Sequence, residues 1–109
     1  MVNDAIKIVE NTGDTRFEIY VDGELAGFTV YQVRTPELYA FVHTEIGAEF
    51  AHRGLASELI EYALESMRTR AISVLPYCAF VRAFIAQHDD FLELVPMQSR
   101  VQFELPDLS

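Results

Sequence analysis

Residues 43–60 read HTEIGAEFAHRGLASELI, and this stretch decides the fold. His43-Thr44-Glu45 closes a strand-like run. Gly54 and the small residues Ala56 and Ser57 stand where a helical pattern begins. Helix starts favour a capping Ser, Asp or Asn. A residue without a side chain in that place suggests close approach to the backbone. What approaches is either another strand or a phosphate.

Before this stretch the hydrophobic period is two. Ile6–Val9 is a short β-prone run, and Asn11–Asp14 is a turn cluster. Phe17, Ile19 and Val21 alternate with Arg16, Glu18 and Tyr20, as in a half-buried strand. Asp22-Gly23 is a two-residue hairpin signal. A strand follows from Leu25 to Val33, broken at Thr35-Pro36-Glu37, and another runs from Leu38 to Glu45. Beyond the stretch the period changes. Leu55, Leu59, Ile60, Ala63, Leu64 and Met67 predict one apolar face of a helix reaching about Arg70. Ile72–Leu75 is a short strand ended by Pro76. Phe80, Val81, Phe84 and Ile85 predict a second helix ending near His88-Asp89-Asp90, and Arg100–Glu104 a last strand. Antiparallel strands followed by helix–strand–helix imply an α+β fold. Its sheet is mixed, with the strand after the first helix, 72–75, joined to the strand before it by a parallel, right-handed crossover.

With 109 residues, the chain is expected to form one domain, and half its residues are hydrophobic. The 8 basic and 17 acidic residues leave a net charge of −9. That argues against nucleic acid or an anionic membrane as partner and leans toward a basic one. No apolar run approaches the roughly 20 residues of a membrane span. The N-terminus carries no signal-peptide pattern, and the lone Cys78 excludes an intrachain disulfide. A reducing cytoplasm is the expected compartment.

At the glycine turn, the first N–H groups of the helix lack internal partners and form an anion site with the helix dipole. The alternative is a plain helix start packed on the sheet. Cys78 follows Pro76 and precedes the second helix, where thiolates are favoured. It is a candidate nucleophile or a small buried residue filling a gap. His43 and Glu45, two apart, share one strand face as candidate bases or as a solvated strand end, with Thr44 facing the other way. His88 reads as a helix-end cap. Three scattered histidines and one cysteine have no metal-ligand spacing. Phe80, Phe84 and Phe91 read as core.

Arg53-Gly54-Leu55-Ala56-Ser57 resembles the acetyl-CoA-binding motif of the GNAT acetyltransferase superfamily. The ordered set His43-Thr44-Glu45, Gly54–Ser57, Pro76-Tyr77-Cys78 and His88 resembles its small single-domain GNAT-like family, over roughly residues 5–96. The resemblance implies a minimal GNAT-like fold and acetyl-CoA as acyl donor to an amine. The pyrophosphate would rest on backbone N–H groups of His52, Arg53, Gly54, Leu55, Ala56 and Ser57. The pantetheine arm would lie between the strands 38–45 and 72–75. Two positions depart from the pattern. Ala51 stands where Arg or Gln is usual, and Phe84 where relatives often carry a Tyr whose hydroxyl protonates the leaving thiolate. Besides an N-acetyltransferase, the chain is compatible with a CoA-binding sensor without turnover, or with an interaction domain that binds no nucleotide.

Overall fold

The computed structural model describes residues 5–106. Five strands form one sheet in sequence order: β1 (Ile6–Asn11), β2 (Arg16–Val21), β3 (Glu24–Thr35), β4 (Leu38–Ile46) and β5 (Ser73–Pro76). The first four pair antiparallel, and β5 lies parallel to β4. The helices are α1 (Leu55–Thr69) and α2 (Ala79–Gln87). The sheet is therefore mixed and the fold α+β, as the change of period predicts. No helix among the described residues is long and apolar enough to cross a membrane.

Local chemistry sets each boundary. Asp22 and Gly23 have φ of 51° and 83°, the left-handed pair that a two-residue hairpin of the sheet's own twist requires. Asn11 caps a short 3-10 turn by accepting from the Asp14 N–H at 3.1 Å. Helix α1 ends in a Schellman arrangement. Ile72 N–H donates to Met67 O at 2.9 Å, and Ala71 N–H donates to Arg68 O at 3.1 Å. Ala71 holds the left-handed position, φ 56°, that glycine usually takes. Pro76 is the last residue of β5 rather than its breaker, since an edge position needs no N–H.

One sheet face carries the helices. Its cross-strand rows include Phe17, Thr29 and Thr44, with Tyr31 opposite Phe41. Phe17 meets the α1 ring of Tyr62 with centroids 6.2 Å apart. Helix α1 buries Leu59, Ile60, Leu64 and Met67 against this face. Each such side chain contributes about 1.5–3 kcal/mol before entropy is counted. Arg70, capping α1, donates to Glu10 Oε1 of β1 at 2.9 Å, and the buried Tyr31 donates to Glu10 Oε2 at 2.6 Å. The second face carries the rows Arg16–Val30–His43 and Glu18–Phe28–Glu45.

Two expectations are corrected. Residues 100–104 form helical turns, not a strand: Phe103 N–H donates to Arg100 O, and Glu104 N–H donates to Val101 O. Their alternation misleads because Val101 is 82% exposed, while the buried Arg100 donates from Nε to Val95 O. Phe80 is not core. It is 53% exposed, because the buried stripe of α2 runs through Val81, Phe84 and Ile85 and turns position 80 outward.

Candidate functional site

Strands β4 and β5 pair only from Leu38–Ser73 to Phe41–Pro76. Past Phe41 the chains part. Cys78 N–H makes one last bond to Phe41 O at 2.8 Å, and β4 continues alone to Ile46. The register with β3 also slips here: Val30 pairs with His43 and Tyr31 with Phe41. Val42 is thus an extra residue in β4, without a cross-strand partner on either side. Such a bulge frees backbone groups and re-aims the side chains that follow. It sends His43 and Glu45 to the second face and Thr44 to the helix face.

The connection to α1 runs through two left-handed residues, His52 (φ 64°) and Gly54 (φ 75°). Gly54 is the N-cap of α1 and offers no capping side chain. The backbone conformation alone favours glycine here. A Cβ at Gly54 would meet no atom within 4 Å, so the space over the helix start is open. The uncapped N–H groups of the first turn therefore suit an anionic group such as a diphosphate.

A cleft of about 540 Å³ opens from this turn. Ala51, His52, Gly54, Leu55, Ala56 and Ser57 line one wall, and Thr44, Glu45 and Ile46 another, with the exposed Phe80 between. Arg53 lies in the same turn, its guanidinium 5.7 Å from the Phe50 ring centre. A smaller cleft of about 150 Å³ between α1 and α2 shares Ala56, Ser57 and Phe80. His88 lines it, closing α2 as its cap. Its Nδ1 donates to Phe84 O at 2.8 Å, and its ring stacks on Phe84 at 4.0 Å.

His43 and Glu45 stand together as expected. His43 Nε2 lies 3.0 Å from Glu45 Oε1, and both side chains are more than half exposed. Cys78 is the N-cap of α2, also as expected, but it is buried. Its Sγ lies 3.1 Å from Thr44 Oγ1, which lies 2.8 Å from the Oγ1 of the fully buried Thr29. Thr29 in turn donates to His43 O at 3.4 Å. One proton ordering satisfies every group: thiol to Thr44, Thr44 to Thr29, Thr29 to the carbonyl. The thiol is thus held one hydroxyl behind the cleft wall. Glu45 borders the cleft itself, whereas His43 does so only through Glu45.

Beneath Phe28 on the second face lies a network that sequence reasoning missed. The buried Glu18 accepts from Arg16 Nε at 2.7 Å, Tyr20 Oη at 2.8 Å and Asn11 Nδ2 at 3.1 Å. Burial alone would raise the Glu18 carboxyl. The bonds from Asn11, Arg16 and Tyr20, with the Arg16 charge, outweigh it and hold the group below its ordinary range. The Arg16 guanidinium also covers the Phe28 ring at 4.4 Å. The only sequence signal was the 16, 18, 20 alternation. The Val42 bulge had none, since no Gly or Pro marks it.

A mixed sheet parted beside a bulge, over an uncapped helix start, defines an α+β protein with an open cleft that Glu45 borders. Residues 16–94 match the family described as GCN5-related N-acetyl-transferase, and the chain belongs to that family. Three solved structures share its fold. A GCN5-like protein from Staphylococcus aureus superposes with a TM-score of 0.64 at 15% identity, covering 83% of this chain and 87% of that one. A ribosomal-protein-alanine N-acetyltransferase from Brucella melitensis gives 0.52 at 20% identity, over 72% and 56%. Ard1 from Thermoplasma volcanium gives 0.51 at 21% identity, over 57% and 43%. The chain thus spans about half the length of the last two. No curated protein matches the sequence.

Proposed function

We propose that the chain transfers an acetyl group from acetyl-CoA to a primary amine. The observation that carries this reading is the single cleft running from the uncapped start of α1 to the carboxylate of Glu45. Backbone N–H groups from His52 to Ser57 hold the diphosphate, and Arg53 adds positive charge to the same turn. The thioester arm lies along the parted end of β4, where the bulged Val42 leaves backbone groups for the acyl carbonyl. Acetyl-CoA, as substrate, supplies the activated acyl group. Glu45, held by His43, takes a proton from the incoming ammonium so that the amine can attack. Phe84 has no hydroxyl to protonate the departing thiolate, so that proton comes from solvent or from the amine through Glu45.

A second order of events is favoured by the place of Cys78 at the head of α2, one hydroxyl behind the cleft. In it Cys78 Sγ bonds the acyl carbon as the bond to CoA sulfur breaks and the thiol proton passes to the CoA thiolate; the amine then takes the acetyl and its proton returns to Sγ. Native mass spectrometry with and without acetyl-CoA tests both, using wild type and Cys78→Ala. A cofactor-sized adduct supports the cleft assignment. A further acetyl mass lost in Cys78→Ala supports the thioester route. A cofactor adduct with no transfer to any amine leaves a CoA-binding sensor, and no adduct sinks the reading.

A further inference from the structure

The cofactor cleft has a neighbour on the far side of Glu45. Leu25, Ala26, Gly27, Phe28, Glu45 and Gly47 line a groove of about 160 Å³. Among the described residues, Glu45 is the one that borders both this groove and the large cleft. At Gly27 in its lining β3 and β4 approach closely, and a Cβ there would collide with Glu45 O and Ile46. An extra residue in β3, Ala26, shifts the register between Ile19 and Tyr20 of β2, and Gly47 N–H closes onto Ala26 O at 2.8 Å. Every lining residue other than Glu45 is uncharged. The nearby Arg16, stacked on Phe28, is already paired with Glu18, so Glu45 in the lining and Glu49 beside Gly47 make the groove negative. His43 engages only Oε1 of that carboxylate.

Resting on the acetyl-transfer reading, we propose that this groove is the acceptor subsite and takes a primary amine on an unbranched apolar stem. Its ammonium meets Glu45, at the boundary with the acyl donor, and its stem lies along Leu25 and Phe28. A cavity of about 150 Å³ accommodates a ligand of six carbons, so a stem of about four to six carbons fits. One carboxylate pairs with one ammonium. A second positive charge along the stem would replace apolar contact with Leu25 and Phe28, which disfavours polyamines. A carboxylate beside the amine, as in a free α-amino acid, would meet Glu45 with like charge. A lysine side chain and a free alkylamine share the favoured chemistry. The step balances: the ammonium gives one proton to Glu45, nitrogen bonds the acyl carbon, the carbon–sulfur bond breaks, and the nitrogen's second proton ends on the thiolate.

The test measures transfer from saturating acetyl-CoA to n-pentylamine, Nα-acetyl-lysine methylamide, spermidine and alanine, with calorimetry of acetyl-CoA binding alongside. Pentylamine and the lysine amide are expected to exceed spermidine and alanine at least tenfold in kcat/KM. Their ratio separates a free amine from a lysine side chain. Leu25→Trp, at an exposed position that fills the groove, is expected to raise the pentylamine KM about tenfold while kcat and acetyl-CoA affinity hold. A preference for spermidine or alanine, or an unchanged KM in Leu25→Trp, overturns the proposal. So does acetyl-CoA binding with no acceptor used and no pentylamine-induced NMR shifts at Leu25 and Phe28. Failure to bind acetyl-CoA at all overturns the acetyl-transfer reading instead.

Discussion

Gly54→Asp separates the two physical reasons for a glycine at the head of α1. The left-handed φ of 75° penalises a residue with a Cβ by about 1–2 kcal/mol, less for Asp than for most. A negative side chain at a helix N-terminus recovers about 0.3–1 kcal/mol through the dipole. No steric cost is added, because nothing lies within 4 Å of the new Cβ. The net loss is about 1 kcal/mol or less, a fall of about 4–8 °C in Tm at most for a chain of this size. The effect on a diphosphate is much larger. Two unit charges about 4 Å apart repel by about 1 kcal/mol in water and about 4 kcal/mol near a protein surface. That is a loss of about five- to several hundredfold in affinity. Thermal melts with acetyl-CoA at a hundred times the wild-type Kd read this directly. Wild type gains about 2.7 kcal/mol, or more than about 10 °C, whereas a hundredfold weaker variant gains only about 0.4 kcal/mol. Gly54→Ala supplies the backbone strain without the charge and should keep most of the ligand shift. If Gly54→Asp retains the full wild-type shift, the diphosphate does not rest on this turn.

Gly27→Ala is expected to destabilise the protein by about 1–3 kcal/mol, because the new methyl meets the Glu45 backbone, which cannot rotate away; denaturant titration reads the loss, and an unchanged midpoint refutes the close packing of β3 on β4. The depressed Glu18 carboxyl contributes stability above its ordinary value of 4.5 that is lost as pH falls through the folded value. Melts between pH 3 and 6 should therefore show a smaller slope in Glu18→Gln than in wild type, and equal slopes would count against the network. Tyr31 is shifted the other way, raised by burial first and then by its bond to Glu10, so its contribution holds below pH 10 and fades as pH rises beyond it. Tyr31→Phe should flatten the alkaline limb of the stability profile and cost about 1 kcal/mol at neutral pH.

The switch of period between Glu45 and Leu55 carried most of the architecture, because strands and helices bury apolar residues at incompatible spacings. The pairing of His43 with Glu45, the position of Cys78 at the head of α2 and the cap at His88 followed from strand alternation and helix-end chemistry. What stayed hidden was register and direction. Nothing in Phe41-Val42-His43 distinguishes a bulged valine from a paired one, since the choice is made by β3 across the sheet. Ala71 occupies a left-handed helix end without the glycine that would announce it. Arg100 to Glu104 alternates like a strand, yet those residues close into helical turns. Phe80 has the same composition signal as the buried Phe84, and only about 40° of helix rotation separates the two positions, one cleft lining and the other core.

The strand order gives the sheet a temporal asymmetry. Strands β1 to β4 are each neighbour to the next in the chain, so the meander needs only short loop closures and can zip progressively. The β4–β5 pairing must wait for the whole of α1, and it consists of four residue pairs. That seam is expected to form last and to open first, showing weaker amide protection at Ser73–Leu75 than at β2 and β3 in hydrogen exchange. A molecule seated across the parted ends of β4 and β5 would then act as a rivet on the weakest joint of the fold, so that cellular abundance of the protein follows the supply of its ligand.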